Sequence, residues 1–348
     1  MRDALGRGAR GHRGDGRWWL AVGAFAGAAL ASKYTAAFLG FGLVLWLVLD
    51  PAARRWWRDP RLYFGGAIAL LVFAPVIAWN AAHGWASFLK QGGRAAAGSG
   101  LTLRFLGELA GGQLLIASPL LFAAVVFGAG RATRAWLRRD AAAGLVLLFV
   151  LPAAALFLWQ ATGSRVQGNW PAILYPAGCL LAAAFVRPGL LRAGAVLGLA
   201  MTALVAIQAV ASPLPLPRRS DPVLARLGGW PALARDAEAA RQAAGATFIA
   251  AEEYGLAAEL ALHAPRGVPV VALGDRWALF RLPAPAPGDT GILVHSTRRG
   301  LADLQWPGAG PAGEIVRARD GIEAERYRLF LVRTPPGILP AATLPRPR

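Results

Sequence analysis

Carboxylates are scarce in this chain. Its 348 residues include 37 Lys and Arg against 19 Asp and Glu, and only 16% are charged, where soluble domains carry roughly a quarter. With a mean hydropathy of +0.44, that shortage excludes an ordinary water-soluble globule for most of the chain. One cysteine, Cys179, leaves no intramolecular disulfide and no thiolate metal cluster to be made. The four histidines, His12, His83, His263 and His295, are too scattered to form a zinc motif by spacing. The proline-rich piece PAPAPGD, residues 283–289, reads as a loop without a glycine-rich phosphate fingerprint.

What is present is apolar sequence in bilayer-sized runs: Leu62 to Trp79, Phe105 to Phe127, Ala141 to Ala161, Ala172 to Val186 and Ala193 to Ala211. They follow one another, unlike a single cleavable signal. The formal charge of +18 and the Arg/Gly-rich opening RDALGRGARGHRG hint at nucleic acid. The arginines nevertheless sit directly before an apolar segment, as a cytoplasmic flank does, so no nucleic-acid partner is expected.

Basic residues sort the short loops. Arg54, Arg55, Arg58 and Arg61 mark one cytoplasmic loop, Arg131, Arg134, Arg138 and Arg139 a second, and Arg187 and Arg192 a third. Segments 80–104 and 163–171 then face outward, although the first carries Lys90, Arg94 and Arg104. Residues 1–17 form a basic cytoplasmic segment, so the run Trp18 to Leu49 crosses an even number of times, as two short helices turning near Ser32, Lys33, Tyr34 and Thr35. That turn brings Lys33 to the outer surface and removes most of the roughly 2.5 to 3.5 kcal/mol that a charge at the bilayer centre costs. A lysine that merely snorkels to the headgroups is the alternative reading. Gly23 and Gly27 form a small-xxx-small face suited to helix contact.

After Ala211 the character changes. SPLPLPRRSDP stops the helix. Pro222 to Ala244 reads as helix interrupted near 228–231, and ATFIAAE, VPVVAL, GILVHST, GEIVRAR and RYRLFLVRT read as strands, with helix EYGLAAELALHA after the first. The expected architecture is mainly α: a polytopic transmembrane helix bundle over 18–211, followed by a small extracytoplasmic α/β domain over 212–348.

Unusual polar and aromatic side chains gather in the three outward segments. They are Lys33 with Tyr34; Asn80, His83, Trp85, Lys90, Gln91 and Arg94; and Arg165, Gln167, Asn169 and Trp170. A site for a lipid-linked sugar needs cations for phosphate, aromatic faces for sugar or isoprenoid, and amides for hydroxyl groups. Lys33 and Arg165 suit the phosphate, the arginine by paired hydrogen bonds and the lysine as a compact charge. Tyr34, His83, Trp85, Asn169 and Trp170 suit the sugar or lipid. The tryptophans equally suit an interfacial belt, Asn80 and Asn169 taken alone read as helix-end caps, and His83 alone reads as a loop residue.

GAALASKYTAAFLGFGLVLWLVLDP, FAPVIAWNAAHGWASFLKQGGR, GGQLLIASPLLF, NWPAILYPAG and EEYGLAAELALHAP, in that order, resemble the membrane glycosyltransferases of family 39, which include protein O-mannosyltransferases and the lipid A aminoarabinose transferase. The resemblance spans 18 to about 280. It implies a GT-C-like fold and transfer of a sugar from a polyprenyl-phosphate donor to a protein or glycolipid acceptor on the outer side of a bacterial inner membrane. It also implies inversion, an aspartate in the first outward loop as base or acceptor-orienting group, and a divalent metal in some members. Cations near the departing phosphate would stabilise its developing charge.

The chain departs from that pattern in lacking the long acidic outward loop and the helix before it. Between Trp18 and Ala211 the carboxylates are Asp50, Asp59, Glu108 and Asp140. Only Glu108 lies toward the outer side, as a substitute base or as the partner of Arg104 four residues earlier, and the ion pair is the favoured reading. The chain is accordingly expected to be an amino-terminally truncated, catalytically incomplete portion of a longer enzyme, with its catalytic residue unassigned. No cofactor is visible in the sequence. Two other readings are a transporter, against which stands the absence of an internal repeat, and a non-catalytic membrane protein whose outer domain binds a partner or glycan.

Overall fold

The computed structural model describes residues 15–96, 102–218, 221–280, 282–335 and 341–345. Most of the basic segment 1–17, through residue 14, and the side chain of Arg94 lie outside the described residues. The chain divides into two compact units, Met1–Ala203 and Leu204–Arg348.

The first unit is helical. Its elements are α1 (Trp18–Ser32), α2 (Ala37–Leu49), α3 (Pro60–Ala82), α4 (Ala86–Ala96), α5 (Arg104–Ile116), α6 (Pro119–Leu137), α7 (Ala141–Leu148), α8 (Leu151–Ala161) and α9 (Tyr175–Phe185), and α10 spans Pro188–Ala211. Among the described residues four segments are long and apolar enough to cross a membrane: Pro60–Ala82, Pro119–Leu137, Ala141–Ala161 and Pro188–Ala211. Shorter apolar helices cover Trp18–Ser32, Tyr34–Leu49 and Trp170–Phe185. Only 11% of the apolar window in Pro60–Ala82 is covered by protein, so most of that surface needs lipid around it. The chain is an integral, multi-pass membrane protein.

The expected hairpin forms. Helix α1 ends at Ser32, a short 3-10 turn covers Tyr34–Ala36, and α2 returns. Gly23 and Gly27 do make a helix contact: a Cβ at Gly23 would collide with the Gly65 carbonyl, and one at Gly27 would come 2.6 Å from the Ala69 carbonyl. Without side chains in the way, α1 and α3 meet backbone to backbone. Gly128 allows the same approach of α6 to α9, where a Cβ would lie 2.8 Å from the Ala182 nitrogen.

The expected single run Phe105 to Phe127 is corrected to two helices. Ser118 takes φ 64° and ψ 148° between α5 and α6, since a residue before proline is pushed out of the helical region and Pro119 brings no N–H to continue the ladder. The Ser118 hydroxyl accepts from the Leu121 N–H at 3.4 Å and donates to the Gly194 carbonyl at 3.1 Å, so the break is satisfied internally.

Three of the scarce carboxylates have structural work. Asp59 caps α3 by accepting from the Arg61 N–H at 2.9 Å, Asp140 caps α7 through Ala143 at 3.0 Å, and Asp50 accepts from Ala52 at 2.9 Å in the turn after α2. Such caps contribute about 1 kcal/mol each.

The second unit holds α11 (Pro222–Arg226), α12 (Trp230–Ala243), β1 (Phe248–Ala251), α13 (Tyr254–His263), β2 (Val270–Leu273), β3 (Thr290–Ser296), β4 (Gly310–Arg319), β5 (Ile322–Arg333) and β6 (Ala341–Thr343). The sheet order is β4-β5-β3-β1-β2-β6. Strand β1 runs parallel to β2 and β3, with Ile249 opposite Val270 and Ile292, while β5 and β6 add antiparallel strands. Both faces of the parallel centre are buried, which is why FIAA and VVAL are uninterrupted apolar strings. Ile249 and Ala251 pack under α12 and α13, and Phe248 and Ala250 pack with Trp306 and Phe330 on the other face. The strand β6 was not anticipated from the sequence.

Candidate functional site

The residues singled out in the first unit gather around the α1–α2 turn. Lys33 leaves the helix with φ −159° and ψ 127°, its N–H still bonded to the Ala29 carbonyl, and its side chain exposed. Tyr34 stacks on Phe88 at 5.0 Å and meets Phe73 edge-on at 6.1 Å. Between them lies the fully buried Asn80. Its amide nitrogen donates to the Val76 carbonyl at 2.9 Å and to the Tyr34 hydroxyl at 3.4 Å, and its oxygen accepts from the Ser87 N–H at 3.1 Å. One side chain thus ties the end of α3, the start of α4 and the α1–α2 turn together, with every polar atom satisfied.

His83 lies flat on Trp79 at 4.2 Å, with Nδ1 2.7 Å from the Trp79 carbonyl oxygen. Trp85 has φ 58°, a left-handed conformation uncommon outside glycine, next to Gly84 at φ 60°. That tight turn leaves Trp85 47% exposed beside Phe88.

Arg165 comes from the segment between α8 and α9. It forks onto Glu108, Nε to Oε2 at 2.7 Å and Nη2 to Oε1 at 3.1 Å, while Arg104 Nε reaches Oε1 at 3.1 Å. The pairing of Glu108 with Arg104 forms as expected, and a second guanidinium, 57 residues away in sequence, joins it. The carboxylate in turn raises the pKa of Arg165, and the cluster keeps a net positive charge. Arg165 is 64% exposed, so the pair contributes little to stability and much more to the direction the guanidinium takes.

A buried apolar cluster connects these halves. Leu109, Phe157, Ala161 and Val166 form its centre, and Phe38, Phe105 and Trp170 pack against it. Phe38 is the second residue of α2, one turn after Tyr34, and meets Phe157 at 6.1 Å. Lys33, Tyr34, Asn80, His83, Trp85, Arg165, Asn169 and Trp170 therefore occupy one end of the helical unit. Asn169 is exposed and makes no cap hydrogen bond, so the cap reading fails for it.

Gln113 escaped notice in the sequence. It is buried, donates to the Gly168 carbonyl at 2.9 Å and accepts from the Tyr175 hydroxyl at 3.0 Å. It thereby pins the loop that presents Arg165 and Trp170. An amide inside the apolar stretch GGQLLI was the available signal, since polar groups at such positions need partners.

The chemistry open to this end is anion and sugar binding: a fork held in place, a separate point charge, and aromatic faces. Among the described residues no group of three or more His, Cys, Asp or Glu is close enough to hold a metal ion, and both oxygens of Glu108 are engaged by guanidinium groups.

A family model described as dolichyl-phosphate-mannose-protein mannosyltransferase matches residues 7–79. The lipid A galacturonosyltransferase RgtD of Rhizobium johnstonii is 29% identical over 164 residues, which cover 47% of this chain and 34% of that protein. The match thus spans about a third of the relative's length. No solved structure matches the chain. In sequence the chain is similar to the family 39 membrane glycosyltransferases, and the family match at residues 7–79 falls on the hairpin and third helix that place Lys33.

Proposed function

We propose that the chain serves a membrane glycosyltransferase that moves a sugar from a polyprenyl-phosphate donor to a glycolipid acceptor at the end of the bundle carrying Lys33 and Arg165. The observation that carries this reading is the convergence of the three polar segments through Asn80 and the Phe38–Trp170 cluster. Arg165, aimed by Glu108, grips the donor phosphate with its remaining N–H groups, and Lys33 adds a mobile charge. Trp85, Trp170, Tyr34 and His83 line the sugar and the first isoprene units, and Asn169 meets sugar hydroxyl groups.

In the reaction the acceptor hydroxyl oxygen attacks the anomeric carbon, the bond from that carbon to the phosphate oxygen breaks, its electron pair leaves with polyprenyl phosphate, and the hydroxyl proton passes to water or to an oxygen of the departing phosphate. The two cations stabilise the charge that develops there. Glu108, shared by two guanidinium groups, positions Arg165 and is not the base that takes the acceptor proton. A glycolipid acceptor is supported by the lipid A specificity in the relative's name. The basic residues at 54–61 and 131–139 support a cytoplasmic location for their end, hence a bacterial inner membrane with the site and the second unit on the outer side.

The test is binding of a polyprenyl-phosphate sugar to the full chain in nanodiscs. Charge-assisted hydrogen bonds contribute about 1.5–3 kcal/mol, so Arg165→Ala should weaken binding roughly 10- to 100-fold, and Lys33→Ala by less. Wild-type affinity in both variants would remove the donor site from this end.

A further inference from the structure

The opposite polar end of the helical unit carries a feature that sugar transfer does not use. Between α2 and α3, Arg55, Arg58 and Arg61 line a shallow groove of about 370 Å³ together with Asp59 and Pro60. All three guanidinium groups are exposed. Asp59, the one carboxylate lining the groove, caps α3 through Oδ1. Among the described residues the Arg61 side chain has only a long 3.9 Å ion-pair contact, with Asp15, and Arg55 lies over its neighbour's ring, Trp56, at 4.8 Å. Among the described residues no ion pair involves Arg55 or Arg58. Three cations against one carboxylate leave a groove of net positive charge.

Its depth in the membrane is marked by aromatic groups. Trp57 donates through Nε1 to the Leu47 carbonyl at 3.0 Å, Trp56 meets Trp19 edge-on at 5.6 Å, and the Tyr63 hydroxyl donates to the Trp57 carbonyl at 2.9 Å. Bonded indole and phenol groups at the ends of apolar helices belong at headgroup level. Directly beside the groove, Tyr63 and Phe64 on the span Pro60–Ala82 are 57% and 62% exposed.

We propose that this groove binds the phosphate of an anionic phospholipid from the adjoining leaflet. Arg55 and Arg58 fork onto the phosphate oxygens, Arg61 adds charge, and the acyl chains lie along Tyr63 and Phe64. A lipid suits the groove better than free phosphate, because the uncovered apolar face of α3 begins where the cations end and a free ion would use only the latter.

The experiment titrates the full chain, in detergent micelles, with short-chain phosphatidylglycerol and counts retained lipid by native mass spectrometry. One molecule per chain should be retained preferentially over phosphatidylcholine. At about 1 kcal/mol per basic residue near an anionic headgroup and a factor of ten per 1.4 kcal/mol, R55Q/R58Q should lower apparent affinity about 30-fold. R134Q/R138Q, an equal charge change at two other exposed arginines of the basic clusters, should lower it less than about threefold. Equal losses in the two pairs would reveal a diffuse charge layer and overturn the site. So would absence of preferential retention, or full displacement by millimolar inorganic phosphate, which would mark a free-anion site. Should the glutamine pair not fold, R55K/R58K keeps the charge and removes the forks. It should bind about fivefold more weakly, and unchanged retention in it would equally overturn the proposal.

Discussion

A single methyl group at Gly23 tests the helix contact on which the placement of Lys33 depends. Trp19, Gly23 and Gly27 are the buried positions of α1, and Gly23 lies against the backbone of Gly65, where a Cβ would strike the carbonyl. A peptide carbonyl within a helix cannot rotate away, so Gly23→Ala must push α1 off α3. Forcing a methyl into close-packed contact costs about 1–3 kcal/mol, against a gain of up to roughly 1 kcal/mol from replacing glycine by alanine in a helix. A net loss of about 1–2 kcal/mol should result. Gly66, on the same helix α3, has nothing within 4 Å of an added Cβ, so Gly66→Ala should be neutral or slightly stabilising. The assay is the unfolding midpoint of each variant in mixed micelles titrated with a denaturing detergent, followed by tryptophan fluorescence. Because α1 carries Lys33 at its end, Gly23→Ala should also weaken polyprenyl-phosphate sugar binding with Lys33 still present. If the two alanine variants unfold together, α1 and α3 do not meet at Gly23 and the backbone contact there is refuted.

The second unit gives two further expectations. Hydrogen bonding to Arg241 at 2.6 Å holds the Glu238 carboxyl below its ordinary pKa. The unfolded chain binds that proton more readily than the folded one, so this stabilisation is complete above the unfolded pKa of about 4.3 and is lost as pH falls through the lower folded value. Circular-dichroism melts of Glu238→Gln should therefore show a shallower loss of stability below about pH 4 than wild type, and an identical acid limb would contradict the linkage. In the same unit Glu252, whose side chain is buried, accepts from the N–H groups of Gln305 and Trp306 at 2.7 and 3.1 Å and lies 3.3 Å from His295 Nδ1. Glu252→Ala leaves those amides without an acceptor, at a cost of about 1–3 kcal/mol. Hydrogen exchange at 305 and 306 should accelerate by at least about tenfold with β2 unchanged, and equal acceleration in β2 would indicate global rather than local loosening.

Local length and period made much of the architecture legible. Thirty-two residues are too many for one ordinary span, and basic residues on both flanks make them two short helices that turn near Lys33. Strings such as FIAA and VVAL read as strands from the sequence, and the structure shows them buried on both faces. The break at Ser118 was equally local, since a Ser-Pro step announces it, yet apolar composition concealed it because hydropathy does not distinguish one helix from two. Strand β6 is three residues long and pairs only with β2, too short to carry a period of its own.

Composition, spacing and the distribution of arginine determined that this chain lives in a bilayer, where it turns, and which polar residues have no ordinary reason to be there. Those are one-dimensional properties, because insertion responds to apolar length and to charge beside it. Tertiary structure decided what those residues do to one another. It set Arg165 on Glu108, Gln113 under the Gly168 loop and Asn80 between three segments, pairings up to 57 residues apart. No local pattern encodes such pairings, which exist only once backbones approach closely enough for a buried polar atom to find its partner.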